Sequence, residues 1–332
     1  MNILFSCDRE KENKENFVRE LNQIFSKVEY IDNYIPEKSE RTIFFKLIRG
    51  LRKKIGKNNF INKLYNDICR EFYLKKLDSY NCKFDYFLTV SKEYSSEFLK
   101  DLKDKNPQIK TILYIWDKLE YTSHKNSYKS YDYVYTFDKG DAKEYNFIFR
   151  PTFFLDYFRE NLKPYREREY DLYYIGQIRE MKRIEITQKF YKVLKDKKKN
   201  IFIKLFKDRK NKKIQIDDNI LLKEKINYEK NINRMKNSKV TLDISYKNQK
   251  GLTLRCFEAL ATETKIITDN PDIKNYDFYN PKNIFCLEKI DDIVRIPDSF
   301  FLDEYQKIKE DIIKKYSVKG FLNDIFTYTE SH

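Results

Sequence analysis

The sequence predicts an α/β protein built from two Rossmann-like, doubly wound parallel-sheet domains in tandem. Three observations carry this. Strand-like and helix-like segments alternate in both halves; the strands are short, continuous apolar runs; and the rhythm stops once, at 156–169, before it restarts. A length of 332 residues also exceeds what one hydrophobic core usually organises.

In the first half "NILFS" (2–6) reads as a buried strand, followed by a helical pattern over 13–25 and a second strand, "KVEYID" (27–32). Two basic helical patterns cover 41–56 and 60–79. Strands are expected at 84–90, 109–116, 131–137 and 146–151, with a helix near 93–103. The segment "DYFRENLKPYRERE" (156–169) is charged, contains Pro164 and lacks strand character, which marks a linker. After it come strands at 170–176, 200–206, 239–245, 265–268 and 283–287. They are separated by helices at 180–196, 227–236 and 252–263, and 299–327 is helical in pattern. In sheets of this kind ligands bind beyond the carboxyl ends of the strands.

Apolar residues at 41% and aromatics at 16% exclude a disordered chain. The net charge of +15 points to an anionic partner: nucleic acid, a membrane surface or a phosphorylated substrate. Five cysteines without Cys-x-x-Cys spacing, and only two histidines, argue against zinc and for a reducing compartment. No apolar run is long enough to span a bilayer, and "MNILFSCDRE" reads as a first strand. A cytoplasmic protein is expected.

One stretch concentrates the chemistry: "QKGLTLRCFEALATETKIITDN", Gln249 to Asn270. Gly251, one of six glycines, stands just before a helix, and helix N-termini bind phosphate through free N–H groups and a partial positive charge. Gln249, Lys250, Gly251, Leu252 and Thr253 form the approach to that helix. Arg255 adds a charge, and Glu258 is placed to accept hydrogen bonds from ribose hydroxyls. An ordinary amphipathic helix, with Leu254, Phe257, Leu260 and Ala261 inward and Arg255 and Glu258 solvated, accounts for the same pattern.

This stretch resembles the donor-binding segment of GT-B glycosyltransferases. There a glycine-containing loop precedes Glu-Ala and a strand, as Glu258-Ala259-Leu260 and "TKIIT" do here. "YYIGQIREMKR" resembles the same family's strand and glycine loop: Lys182 follows Gly176 by six residues, with Gln177 where arginine is usual and Arg179 or Arg183 as substitutes. "YIWDKLEY" and "YDYVYTFDKGDAKEYNFIFRP" extend the likeness toward bacterial capsule and lipopolysaccharide biosynthesis enzymes, roughly over Asp85 to Tyr279. The resemblance implies two domains facing a central cleft: an acceptor-side domain at 1–155 and a nucleotide-sugar-binding domain at 170–298. It also implies a C-terminal helix at 299–332 packing back on the first. It implies a nucleotide-sugar donor, by family frequency a UDP-sugar, and a bacterial surface-glycan acceptor. Glu258 inherits the ribose role.

Lys250 departs from the family-4 pattern, whose retaining members carry an acid eight residues before the ribose glutamate to contact the transferred sugar. Its loss shifts the expectation toward inversion, which needs a base for the acceptor hydroxyl. Asp117, ending "TILYIW", is the first candidate and Asp8, after "NILFS", the second. Asp138, with Asp141, reads as a helix N-cap, and His124 as a further candidate base or, more simply, an exposed loop residue. No Asp-x-Asp triplet is present, so the metal-dependent GT-A class loses its main support and no metal or cofactor is expected.

The segment 41–57 combines Arg41, Lys46, Arg49, Arg52, Lys53, Lys54 and Lys57 with apolar residues at helical spacing. It fits contact with an anionic membrane, at the inner face of the cell membrane, as well as it fits packing inside a domain. Two rival readings are a nucleic-acid-binding protein and an inactive scaffold. The first lacks any helix-turn-helix, zinc-finger or RNP-like pattern, so no nucleic acid is expected.

Overall fold

The computed structural model describes residues 1–7, 11–31, 42–55, 58–92, 94–122, 124–178, 180–207, 211, 214–224, 226–246 and 249–332. The chain divides into two compact units, Met1–Thr136 and Phe137–His332.

The first sheet collects β1 (Asn2–Cys7), β2 (Lys27–Tyr30), β3 (Tyr86–Val90), β4 (Lys110–Ile115), β5 (Tyr133–Thr136) and β6 (Ile148–Phe149) in the order β2-β1-β3-β4-β5-β6. The pairings of β1 with β2 and β3, of β3 with β4 and of β4 with β5 are parallel. Helices α1 (Lys11–Ile24), α2 (Ile43–Ile55), α3 (Asn59–Ser79), α4 (Ser96–Lys105) and α5 (Lys139–Tyr145) lie between these strands in sequence. Every residue of β3 is buried, and in β4 all but Lys110, as expected of a parallel sheet covered on both faces. Two helices pack on each other through Phe45 and Ile48 of α2 and Tyr65 and Cys69 of α3, with the Phe45 and Tyr65 rings stacked at 5.6 Å.

The second sheet is built from β7 (Tyr170–Gln177), β8 (Ile201–Phe206), β9 (Ser238–Asp243), β10 (Lys265–Thr268) and β11 (Ile284–Cys286), ordered β11-β10-β9-β7-β8 and parallel. Its helices are α6 (Met181–Asp196), α7 (Tyr228–Lys236), α8 (Leu254–Ala261), α9 (Asp298–Leu302), α10 (Glu310–Lys315) and α11 (Val318–Ser331). Leu172, Ile184, Phe190, Leu205, Ile220 and Val240 are among the residues of its core.

All eleven expected strands are present, within a few residues of their expected ends. Two expectations about helices change and a third holds. The start at 252 moves to Leu254, because Leu252 is buried ahead of the helix and Thr253 takes the N-cap position. The helical pattern over 299–327 resolves into α9, α10 and α11, because other contacts hold the chain between the first two in extended form. Lys265 Nζ donates to the carbonyls of Phe300 and Asp303 at 3.1 and 2.7 Å, and Asn283 exchanges two hydrogen bonds with the Gln306 backbone. Asp138 does cap a helix: its Oδ1 accepts from the N–H groups of Gly140 and Asp141 at the start of α5.

Numbered by their own strands in sequence, the second sheet has the order 2-1-3-4-5 and the first the same order with a sixth strand added, so each has a switch point where the order reverses. In the first sheet it lies between β1 and β3, and in the second between β7 and β9.

Behind the second switch point, at the opposite strand ends, Arg168 acts as a staple. Its buried guanidinium donates to the carbonyls of Ser238, Glu263, Thr262 and Lys163 at 2.9 to 3.3 Å, tying the start of β9 to the end of α8. Arg168→Ala leaves these carbonyls without their donor, and is expected to lower unfolding stability by about 3 kcal/mol. Urea unfolding checks this; an unchanged midpoint would mean that water replaces the staple without loss.

Candidate donor site at the second switch point

β7 ends in Gly176 and Gln177. A Cβ on Gly176 would lie 2.4 Å from the Tyr174 hydroxyl, so this glycine lets the tyrosine fold back along its own strand. The chain then enters α6, whose first turn carries Lys182 and Arg183; Arg179 lies outside the described residues. Arg183 is buried. It donates to the Gln177 carbonyl at 2.9 Å and the Ile244 carbonyl at 2.7 Å, and sits 4.8 Å over the Tyr246 ring. Its guanidinium therefore joins the ends of β7 and β9. Lys182 is half exposed and pairs with Asp269 at 2.7 Å, just past the end of β10. Asp269 is itself fixed by the N–H and hydroxyl of Ser245.

β9 ends in Asp243, and the chain returns toward α8 through Gln249, Lys250 and Gly251. Gln249 Nε2 donates to the Gly251 carbonyl at 3.0 Å. The N–H groups of Lys250 and Gly251 both donate to Asp138 Oδ2, at 2.9 and 3.2 Å. One buried carboxylate thus accepts four backbone N–H groups from two segments. A Cβ on Gly251 would stand 2.4 Å from the Phe137 carbonyl and 2.6 Å from its ring. The close approach that this glycine permits is that of Phe137.

Thr253 caps α8 by position, but its hydroxyl turns to Asp243 Oδ1 at 2.6 Å. Asp243 Oδ2 accepts from Thr268 at 2.9 Å and from the Cys256 thiol at 3.3 Å. Burial, and then the Asp243 carboxylate, push the Cys256 thiol well up, so it stays protonated and can donate. Arg255 lies 5.0 Å over the Tyr174 ring and donates to the Ile175 carbonyl at 2.7 Å, which commits it to the strands. The N–H groups of Leu254 and Arg255, in the first turn of α8, have no intrahelical acceptor by helix geometry, the arrangement that suits an anion.

Glu258 is the fifth residue of α8, about 6 Å along the axis from Leu254. It is buried, and the Tyr228 hydroxyl at the start of α7 donates to its Oε1. An ionised carboxylate has about four acceptor positions. One hydroxyl leaves most of that capacity open to a diol.

Gly176, Lys182, Arg183, Gln249, Lys250, Gly251, Leu252, Thr253, Arg255 and Glu258 thus gather around the ends of β7, β9 and β10. Asp117 belongs to the first unit, exposed two residues beyond β4, where the Trp116 N–H donates to Ser91 Oγ at 3.0 Å. Asp8 lies outside the described residues. His124, expected to be exposed, is buried. Asp243, Asp269 and Tyr228 were not singled out from sequence. The two aspartates had a signal, each following an apolar run in "VTLDIS" and "IITDN"; Tyr228 had none. Among the described residues no group of three or more His, Cys, Asp or Glu could hold a metal ion. A cavity of about 610 Å³ beside edge strand β8, lined by Lys204, Asp218 and Arg234 among others, shares no residue with this site.

No protein-family model and no curated protein matches the sequence. Solved structures do match. An α-glucosyltransferase in complex with UDP and a mismatched 13-mer DNA aligns over 99% of both chains at 14% identity, with a TM-score of 0.57. The fold is GT-B. The lipopolysaccharide outer core galactosyltransferase WaaB aligns over 99% of this chain and 100% of its own, at 12% identity and a TM-score of 0.55. A UDP-forming α,α-trehalose-phosphate synthase from Burkholderia xenovorans aligns over 98% of both chains at 10% identity, with a TM-score of 0.53. At these identities the GT-B likeness is one of architecture: two parallel-sheet α/β domains, here of six and five strands.

Proposed function

We propose that the protein is a glycosyltransferase that moves a sugar from a nucleotide sugar, a UDP-sugar in the first instance, to a bacterial surface-glycan acceptor, with inversion and without a metal. Buried Glu258 carries this reading. It has one hydroxyl partner and lies about 6 Å along α8 from N–H groups suited to a diphosphate. Phosphate at the helix end and ribose at the glutamate is the order a nucleoside diphosphate requires. The GT-B fold supports the same reading, and two of the similar structures have UDP in their names, as ligand or as product. The surface-glycan acceptor follows from the resemblance in sequence and from the galactosyltransferase of similar fold.

In this scheme the acceptor oxygen attacks the anomeric carbon, the bond from that carbon to the diphosphate oxygen breaks, and Asp117 takes the acceptor proton. Charge on the departing diphosphate falls on the N-terminus of α8 and on Lys182, whose ammonium exchanges Asp269 for phosphate oxygen. Lys250 supports inversion, since it removes the acid that contacts the sugar in retaining relatives. Five free thiols suit a reducing, cytoplasmic compartment.

A thermal-shift series over free nucleotides tests the reading. UDP at about a hundredfold over its Kd is expected to add about 2.7 kcal/mol to stability, with the gain unchanged by EDTA. No shift with any nucleotide, or a shift that needs Mn²⁺, would overturn it.

A further inference from the structure

Most large apolar side chains of this protein are buried, but one helix is an exception. Ile43, Phe44, Leu47, Leu51 and Ile55 of α2 are each 41–77% exposed. At 3.6 residues per turn these five fall within an arc of about 120°. The core-facing residues Ile48 and Phe45 adjoin this arc, at about 140° and 200° from Ile43, and pack against α3. The stripe is therefore the part of a wide apolar arc that α2 leaves uncovered after its packing on α3. Phe60, in the first turn of α3, is also exposed.

In sequence, the charge of this segment has one sign. From Arg41 to Asn66 the chain holds eight lysines and arginines and no aspartate or glutamate. Arg52 is engaged, donating to Asn62 Oδ1 at 2.9 Å and lying 4.4 Å over the Tyr65 ring. Lys46, Arg49 and Lys54 form no ion pair among the described residues.

We propose that α2 is a docking surface for an anionic lipid bilayer, lying in the plane of the interface with its apolar stripe among the acyl chains and its cations at the headgroups. Three partners could be weighed for such a face. A second copy of this chain, related by a two-fold axis, would place these cations opposite themselves with no acid between them. Nucleic acid would satisfy the cations, but its phosphate backbone gives five aliphatic and aromatic side chains nothing to bury against. An anionic bilayer satisfies both halves of the face at once. No helix among the described residues is long and apolar enough to cross a membrane, so the contact is with the surface. The proposal stands on α2 alone and is independent of the donor site.

The test uses the full chain and co-sedimentation with vesicles of phosphatidylcholine, with or without about one-third phosphatidylglycerol. Binding to the anionic vesicles is expected to exceed binding to the neutral ones at least tenfold, and to weaken as salt is raised. The double variant Leu47→Asp, Leu51→Asp should lose the binding at least tenfold, while keeping the parent's melting temperature because both positions are exposed. The variant Lys46→Glu, Lys54→Glu removes no apolar group and should lose it similarly, which keeps the test valid if the first variant misfolds. Equal binding to both vesicle types, no binding, or binding retained in both variants would overturn the proposal. So would a concentration-dependent dimer that Leu47→Asp, Leu51→Asp dissolves, because the face would then be a self-contact. UDP-induced stabilisation in the same variants should match the parent, so failure here and failure of the donor site are read separately.

Discussion

Asp117→Asn is expected to leave nucleotide affinity unchanged and to reduce turnover on the order of a hundredfold to ten-thousandfold, the range set by removing a positioned general base. The argument runs from the strand inward. β4 carries Thr111 to Ile115 in a fully buried row, and the chain leaves the sheet at Trp116, so Asp117 is the first side chain free to face solvent at the carboxyl end. That is the end of a parallel sheet at which substrates bind. An exposed carboxylate there can take a proton and return it to water. Asparagine preserves shape and hydrogen bonding but cannot accept the proton, so the loss should fall on kcat and spare donor binding. Turnover retained in Asp117→Asn would remove it from the mechanism. The anomeric configuration of the product, read by NMR, tests the inversion that gives a base its role.

Glu258→Ala is expected to weaken UDP binding by roughly 1–3 kcal/mol, since a buried charged acceptor is lost from the ribose. Tyr228→Phe gives the contrasting result. It removes the one hydroxyl that donates to Glu258 and leaves the carboxylate in place, so affinity should change less than in Glu258→Ala. Calorimetry on both variants separates the two. If Glu258→Ala binds UDP as the parent does, the glutamate belongs to the packing of α7 on α8 and not to a ribose site.

The architecture was legible in the sequence because parallel strands buried on both faces are unbroken apolar runs. "YFLTV" and "TILYI" cannot be solvent-facing, whereas the division between the two compact units falls at Thr136/Phe137, ahead of the segment 156–169 that reads as a linker. The region of the site was legible for a related reason: Gly176 is a scarce residue at the end of a strand, and Gly251 another just ahead of a helix. The individual side chains were less so. Arg183 and Arg255 read as charges offered to a ligand, yet each folds back onto strand carbonyls, because a guanidinium near a strand end meets backbone acceptors first. Asp243 stands at a strand end that the sequence shows, but its partners do not, since its three donors come from residues 10 to 25 positions away. The N-cap at Asp138 was visible in "FDKGD", but its second set of bonds, to Lys250 and Gly251, joins residues more than 100 apart.

The cramped space at Gly251 bears on how descendants of this sequence should be read. Any relative that keeps the Phe137 backbone against this turn must also keep a glycine there, whatever it binds. The residue is held by crowding, and would persist in a lineage that had lost its chemistry altogether. Its presence therefore separates no active enzyme from a retired one. Glu258 is under no comparable steric obligation, and its replacement by an apolar residue would be an early mark of a chain kept for its shape alone.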